Sequence, residues 1–315
     1  MFERIAIRNI PNAVWEALTV LAKEHERSTE AEARFAIASW IEQHNQEKTM
    51  KIKQNQRCEE VSNRLNEVLD QVNRIMYGRP FKPSQLAENM GEAKASDLEA
   101  WFSGESEPTF AQLEKVAAFL GCESEYLKHG QKQIFPVAYQ RIPENPVDAV
   151  NWLLDLKEDK KVQHLHLLRC ADEAGSLVVV KQYEKWVCKS YTNPYHVSEK
   201  IGGGGETALA HLSVTLELLY KYYAKNQILV TSYLVKSESF DRLCSGIQHP
   251  LNVIKEGGQQ STWWEDIWDA DYFKSNQYWP GWQSLCERIN RVVKYKDSLL
   301  AQRTSIRNGE WQELF

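Results

Sequence analysis

Arg4 and Arg8 stand on either side of Ile5 and Ile7 in the stretch RIAIRNIP near the start of the chain. Alternation with period two puts the isoleucines on one face of a short strand and Arg4, Ala6 and Arg8 on the other. Guanidiniums carried on a two-stranded ribbon suit the major groove of DNA, where arginine bonds the O6 and N7 edge of guanine. A second stretch with chemical potential is IGGGGETA, where glycines run into a helix. There Lys200, Gly203, Gly204, Gly205 and Thr207 would form an anion-binding loop on free backbone amides. Its spacing is neither GxxxxGK[ST] nor that of a dinucleotide fingerprint, and a flexible loop is the competing reading.

His164 and His166 lie two apart on a predicted strand and share a face, but no third ligand follows at metal spacing, so no metal is expected. Residues 263–282, WWEDIWDADYFKSNQYWPGW, hold five tryptophans among Glu265, Asp266, Asp269 and Asp271. That composition reads as core with solvent-facing carboxylates, against the alternatives of a partner surface, a pocket or a cation site. No nucleophile, base and orienting acid fall at a defensible spacing, so no catalytic residue and no cofactor is assigned.

A strand at the head of the chain cannot satisfy its own backbone or bury a face alone. Pro11 and Asn12 open a helix with Val14, Leu18, Leu21 and Ala22 at helical spacing, and Ser28 or Thr29 opens another with acid in its first turn. Two copies of such a strand, helix, helix block can pair their strands antiparallel and interlock their helices. Residues 2–43 resemble the ribbon-helix-helix repressors, most closely the FitA-like antitoxin branch of the Arc/MetJ group, through IAIRN and RSTEAEAR. The resemblance implies a homodimer on double-stranded DNA. It also implies a ribbon in the groove and a phosphate held at the second helix's N-terminus, by position Ser28 and Thr29. The bland alternative is an edge strand with solvated arginines.

QEKTMKIKQNQ, residues 46–56, reads as an exposed hinge or a continued helix. Beyond it Cys58, Val61, Leu65, Val68, Val72 and Ile75 form a heptad stripe that packs inward or on a sister chain. The segment from Pro83 to Leu127 resembles the Cro and lambda-repressor type of helix-turn-helix, through LAENMG, the spacing of Leu98 and Trp101, Gly104 and LEKVAAFLGCESEYL. By that resemblance Lys82, Gln85, Lys94 and Ser96 would contact DNA. Two features depart from the pattern: a turn between Gly91 and Leu98 that is one residue long for the type, and an acidic recognition helix. Residues 79–130 hold five Lys/Arg against nine Asp/Glu, a charge of about −4, so a fold kept for protein contacts stands beside a DNA reader.

Residues 131–315 resemble no family. A Pro-spaced connector leads to a helix near Val147–Leu156, then to three strands in VQHLHLLRC, SLVVVKQY and KWVCKSYT joined as a meander. A long helix after the glycines and another strand, QILVTSYLV, follow. The expected fold class is therefore multi-domain and mixed: a ribbon-helix-helix at 1–47, a spacer helix with an all-α helix-turn-helix domain at 48–130, and an α+β domain at 131–315. With 43% apolar residues, 315 residues suffice for more than one core.

The formal charge of −5 excludes a uniformly basic nucleic-acid coat without excluding a local DNA-binding face. Six dispersed cysteines read as reduced thiols, and neither a leader nor a run long enough to span a bilayer is visible, so a cytoplasmic protein without a membrane partner is expected. These features point to a dimeric, prokaryotic-type transcription regulator, a repressor in preference to an activator. Its C-terminal domain would bind a small ligand or a protein, and one version is the antitoxin of a toxin–antitoxin operon that represses its own promoter. The alternative is an effector of a prokaryotic defence-type system, whose C-terminal domain acts on nucleic acid or nucleotides while its N-terminal domains dock on DNA or a partner.

Overall fold

The computed structural model describes residues 7–76, 78–226 and 228–314. The chain divides into two compact units, residues 1–60 and 61–315. In the first, α1 (Asn12–Glu24) and the opening turns of α2 (Thr29–Ile75) are joined by a tight turn at His25–Ser28. Glu26 takes φ 54° there, and Arg27 N donates to Ala22 O. α2 runs for 47 residues without interruption. Its middle is rich in Gln and Lys and free of glycine and proline, a composition that favours helix over a hinge.

Within unit 61–315, Val61, Leu65, Val68 and Val72 of α2 form a buried stripe. They pack with α3 (Pro83–Asn89), α4 (Ser96–Ser103), α5 (Phe110–Leu120) and α6 (Ser124–His129) around Leu86, Leu98, Trp101, Leu113, Val116 and Leu127. Local chemistry sets these ends: Thr109 and Gln112 form a reciprocal capping box on α5, and left-handed Gly104, Gly121 and Gly130 stop α4, α5 and α6. Ser62 Oγ and Asn66 Nδ2 both donate to Phe102 O, which pins the end of α4 to α2.

A six-stranded mixed sheet follows, in the order β1-β4-β3-β2-β5-β6. β2 (His164–Cys170), β3 (Ser176–Gln182) and β4 (Cys188–His196) form the expected antiparallel meander. β1 (Val137–Tyr139) adds parallel to β4, and β5 (Leu229–Val235) adds parallel to β2, with the 24-residue α8 (Gly203–Asn226) as the crossover. β6 (Gly258–Ser261) completes the far edge. β1 hides in the Pro-spaced connector and β6 reads GQQS; both are too short to show a period.

Both faces of the sheet are covered, which explains the unbroken apolar run SLVVV in β3. Leu177 and Val179 join the core of α7 (Pro146–Leu154), α8, α13 (Trp282–Tyr295) and α14 (Asp297–Asn308). Val178 and Val180 meet the residues of α9 (Ser237–Cys244) and α10 (Pro250–Gly257). The short α11 (Trp263–Asp266) and α12 (Ala270–Ser275) complete the first layer. All six cysteines are unpaired and five are buried. No described helix is long and apolar enough to cross a membrane.

A polar seam joins the helical bundle to the sheet. Gln71 Nε2 donates to Ile247 O at 3.1 Å, its Oε1 accepts from His249 N at 2.9 Å, and its own carbonyl accepts from Asn252 Nδ2 at 2.8 Å. His249 Nε2 donates to Trp186 O at 2.8 Å while Nδ1 accepts from Leu251 N, so the ring is fixed as the neutral Nε2–H tautomer. Ile134 N and Phe135 N both donate to Gly246 O. A Cβ at Gly246 would lie 2.7 Å from Phe135 O, so only glycine fits that approach.

Gln71→Leu would strand two buried backbone groups, and unfolding in urea should show a loss of about 2–4 kcal/mol. Burial pulls His249 from its ordinary 6.5 down to about 4, and His166 down to about 3. Both are neutral in the fold and protonate once it opens, so their stabilisation is complete above pH 6.5 and is lost as pH falls toward those values. The urea midpoint should therefore drop between pH 6.5 and about 5, above the carboxylate range, and the slope should flatten in His249→Gln.

Candidate nucleic-acid interface

Of the ribbon residues, Arg4 and Ala6 lie outside the described residues. Arg8 is exposed and precedes α1 outside any helix or strand, followed by Asn9 at φ 61° and Pro11 at the helix's N-cap. The helices that follow expose many apolar side chains. Up to Arg57 the only buried residues among those described are Ala22 and Glu32. Val14, Trp15, Val20, Leu21, Phe35, Trp40 and Ile41 are all exposed, Trp40 by 66%.

Ser28 sits at the N-cap of α2, and its Oγ accepts from Ala31 N at 3.1 Å. Thr29 is the first residue of the helix, where backbone amides have no partner within the helix. Two acids share this first turn, and both are engaged within the chain. Glu30 pairs with Arg34 at 3.2 Å, and buried Glu32 with His25 at 2.9 Å and Arg27 at 3.3 Å. Arg27 also lies over the Phe35 ring, 4.3 Å from its centre. The Arg27 and Arg34 guanidiniums offset the negative charge that would otherwise oppose a phosphate at the helix end.

Lys82, Gln85, Lys94 and Ser96 are all exposed at the starts of α3 and α4. Gln85 Oε1 accepts from Lys82 N at 3.0 Å, and Lys94 stands 3.4 Å from Asp97, so part of its charge is met locally. Glu92 is likewise paired, with Lys115 at 2.5 Å. The six residues from Met90 to Ala95 link α3 to α4.

The glycine run opens α8, and nothing lies within 4 Å of a Cβ built on Gly202, Gly203 or Gly204, whereas Gly205 packs on Ile201. Carboxylates surround this helix end. Lys200 pairs with Glu173, Glu206 with Arg288 at 3.1 Å, and the Glu199 carboxyl occupies the space where a Cβ of Gly281 would be. Thr207 is half-buried in the first turns. The cations near this end are thus engaged by acids.

His164 and His166 stack at 3.8 Å and bond Thr231 and Gln182 respectively, each at 2.9 Å. Among the described residues no group of three or more His, Cys, Asp or Glu side chains could hold a metal ion. Trp263, Trp264 and Trp282 are fully buried, and Asp266 accepts from Asn276 at 2.6 Å and from Tyr278. The aromatic segment is core, and one of its acids is a buried acceptor.

One concave region is marked in the sequence by a single residue. The end of α7 and the β3–β4 hairpin enclose a cleft of about 640 Å³ lined by Trp152, Asp155, Lys181, Tyr183 and Tyr191. The available signal was parity: Lys181 stands on the apolar side of β3, in register with Val179 and Leu177. The meander alone could not bring Asp155 to it.

A family model described as antitoxin FitA-like, ribbon-helix-helix matches residues 4–40, the segment that holds Arg8, α1 and the first turns of α2. No curated protein and no solved structure matches the chain. Residues 4–40 are thus similar to a DNA-binding antitoxin domain, in a chain that combines helical segments with a six-stranded sheet.

Proposed function

We propose that this chain is a dimeric, sequence-specific DNA-binding regulator that acts as a repressor. One observation carries the reading: residues 7–57 bury almost nothing of their own while exposing Trp15, Leu21, Phe35, Trp40 and Ile41. A segment with so little core cannot offset its ordering entropy alone, and a second copy is the partner that the ribbon-helix-helix likeness supplies. Strand pairing across that dimer would set Arg4, Ala6 and Arg8 of both copies side by side for the major groove, with Ser28 and Thr29 at a phosphate.

Residues 1–47 are in this reading the dimerising reader. Residues 48–130 extend the footprint through Lys82, Gln85, Lys94 and Ser96, and residues 131–315 form the sensing part. Joined readers gain through effective concentration, because the second contact becomes intramolecular once the first has formed. The likeness to antitoxins favours an autoregulated operon in the cytoplasm of a prokaryote, where the chain neutralises a toxin and represses the promoter they share.

Genomic DNA captured by the intact protein should yield a few palindromic sites by footprinting. Arg8→Ala should weaken such a site by about 1–3 kcal/mol per half-site while sedimentation still shows a dimer. Unchanged affinity overturns the ribbon reading. Lys94→Ala combined with Ser96→Ala should shorten the footprint, and an unaltered footprint would make residues 48–130 a protein-contact module.

A further inference from the structure

A buried lysine is costly in a sheet, and an apolar residue of its size would stabilise the fold as well or better. Lys181 nevertheless stands on the apolar side of β3, one residue before its end, 1% exposed, with Nζ donating to Asp155 Oδ1 at 2.7 Å and to Trp152 O. The ammonium lies 4.1 Å from the centre of the Trp152 ring and 4.9 Å from that of Tyr191, and the two rings meet edge to face at 5.2 Å. Tyr183 OH donates to the other Asp155 oxygen at 2.6 Å. Asp155 is the C-cap of α7 at φ 49°, a left-handed position that favours glycine. An aspartate held there, and a lysine held in the sheet, both converge on the cleft of about 640 Å³, within the size range of small-molecule sites.

Charged groups of both signs also line the cleft. Lys189 is exposed on β4 and makes no ion pair among the described residues, whereas Lys160 is taken by Glu184 at 2.6 Å. Glu158 and Asp159 are exposed acceptors on the loop after α7 and likewise make no ion pair among the described residues. A ligand that answers all of these has a planar ring for Trp152 and Tyr191, N–H donors for the carboxylates, and an anionic group for Lys189.

We infer that this cleft binds a free mononucleotide, its base against Trp152 and Tyr191 and its phosphate on Lys189. The inference gives the sensing part of the proposed regulator its site and rests on that reading only for the consequence of occupancy. That consequence has a path. Tyr183 and Val187 line the cleft, and between them Trp186 donates Nε1–H to Phe119 O at 2.9 Å and packs against Phe81 and Phe119 of the bundle.

The test is calorimetric titration of the full chain, without DNA, by AMP, GMP, CMP and UMP, with adenosine and inorganic phosphate as the two half-ligands. At least one mononucleotide should bind far more tightly than either half. Lys189→Glu, at an exposed position that spares the fold, should weaken it by about tenfold or more, and Lys189→Arg should restore it. Bound nucleotide should slow amide exchange in residues 183–187. No binding by any of the four, phosphate binding as tightly as the nucleotides, or unchanged affinity in Lys189→Glu overturns the site. Because no DNA is present, failure here leaves the groove-reading proposal standing, and failure of operator binding leaves this site standing.

Discussion

The three hydrogen bonds of Gln71 hold the larger unit together. They satisfy Ile247 O, His249 N and the Asn252 amide, so a turn of backbone that would otherwise be buried without partners becomes a docking surface for α2. His249 extends the same network to Trp186 O, and Trp186 extends it to Phe119 O. Bundle, hairpin and the α9–α10 turn are therefore registered by directional bonds, which specify one arrangement where apolar contact alone would tolerate several. Neutrality of His249 is part of the design, since a second ring proton would face the Leu251 N–H.

The sheet domain repeats the same economy with charge. Arg169 is buried over the Trp279 ring at 3.9 Å and spends its donors on Val197 O and Cys170 O. Glu217, buried in the middle of α8, takes Arg303 at 2.7 Å and Arg307 at 2.6 Å. Each buried charge is met by several partners, the condition under which such a group is tolerated in a core. Lys181 and Asp155 follow the rule too, with two aromatic rings, Trp152 and Tyr191, packed around the ammonium.

Where period and caps were strong, sequence was a sound guide. The antiparallel meander, the helix after the glycines, the capped helices between Pro83 and His129 and the burial of the tryptophans all follow from local pattern. The stripe from Val61 to Val72 packs inward, one of the two outcomes its spacing allowed. What pattern could not reveal is non-local. β1 and β6 exist because neighbouring strands offer edges, and Asp155 meets Lys181 and Tyr183 only after α7 folds back on the sheet. The ribbon expected at residues 4–8 rests on the alternation of Ile5 and Ile7 with the arginines; residues 4–6 lie outside the described residues, and Ile7 and Arg8 belong to no strand.

The hairpin between β3 and β4 bears on how such a protein can be cut or recombined. Its tip supplies the indole that covers Phe81 and Phe119, and Val187 Cα would lie 3.2 Å from a Cβ on Gly121. A chain ended near residue 130 would expose that aromatic face and leave Gln71 with water in place of its backbone partners. The helical segment is therefore not a cassette to be exchanged between proteins by shuffling at its apparent border. It travels with the sheet that completes its surface.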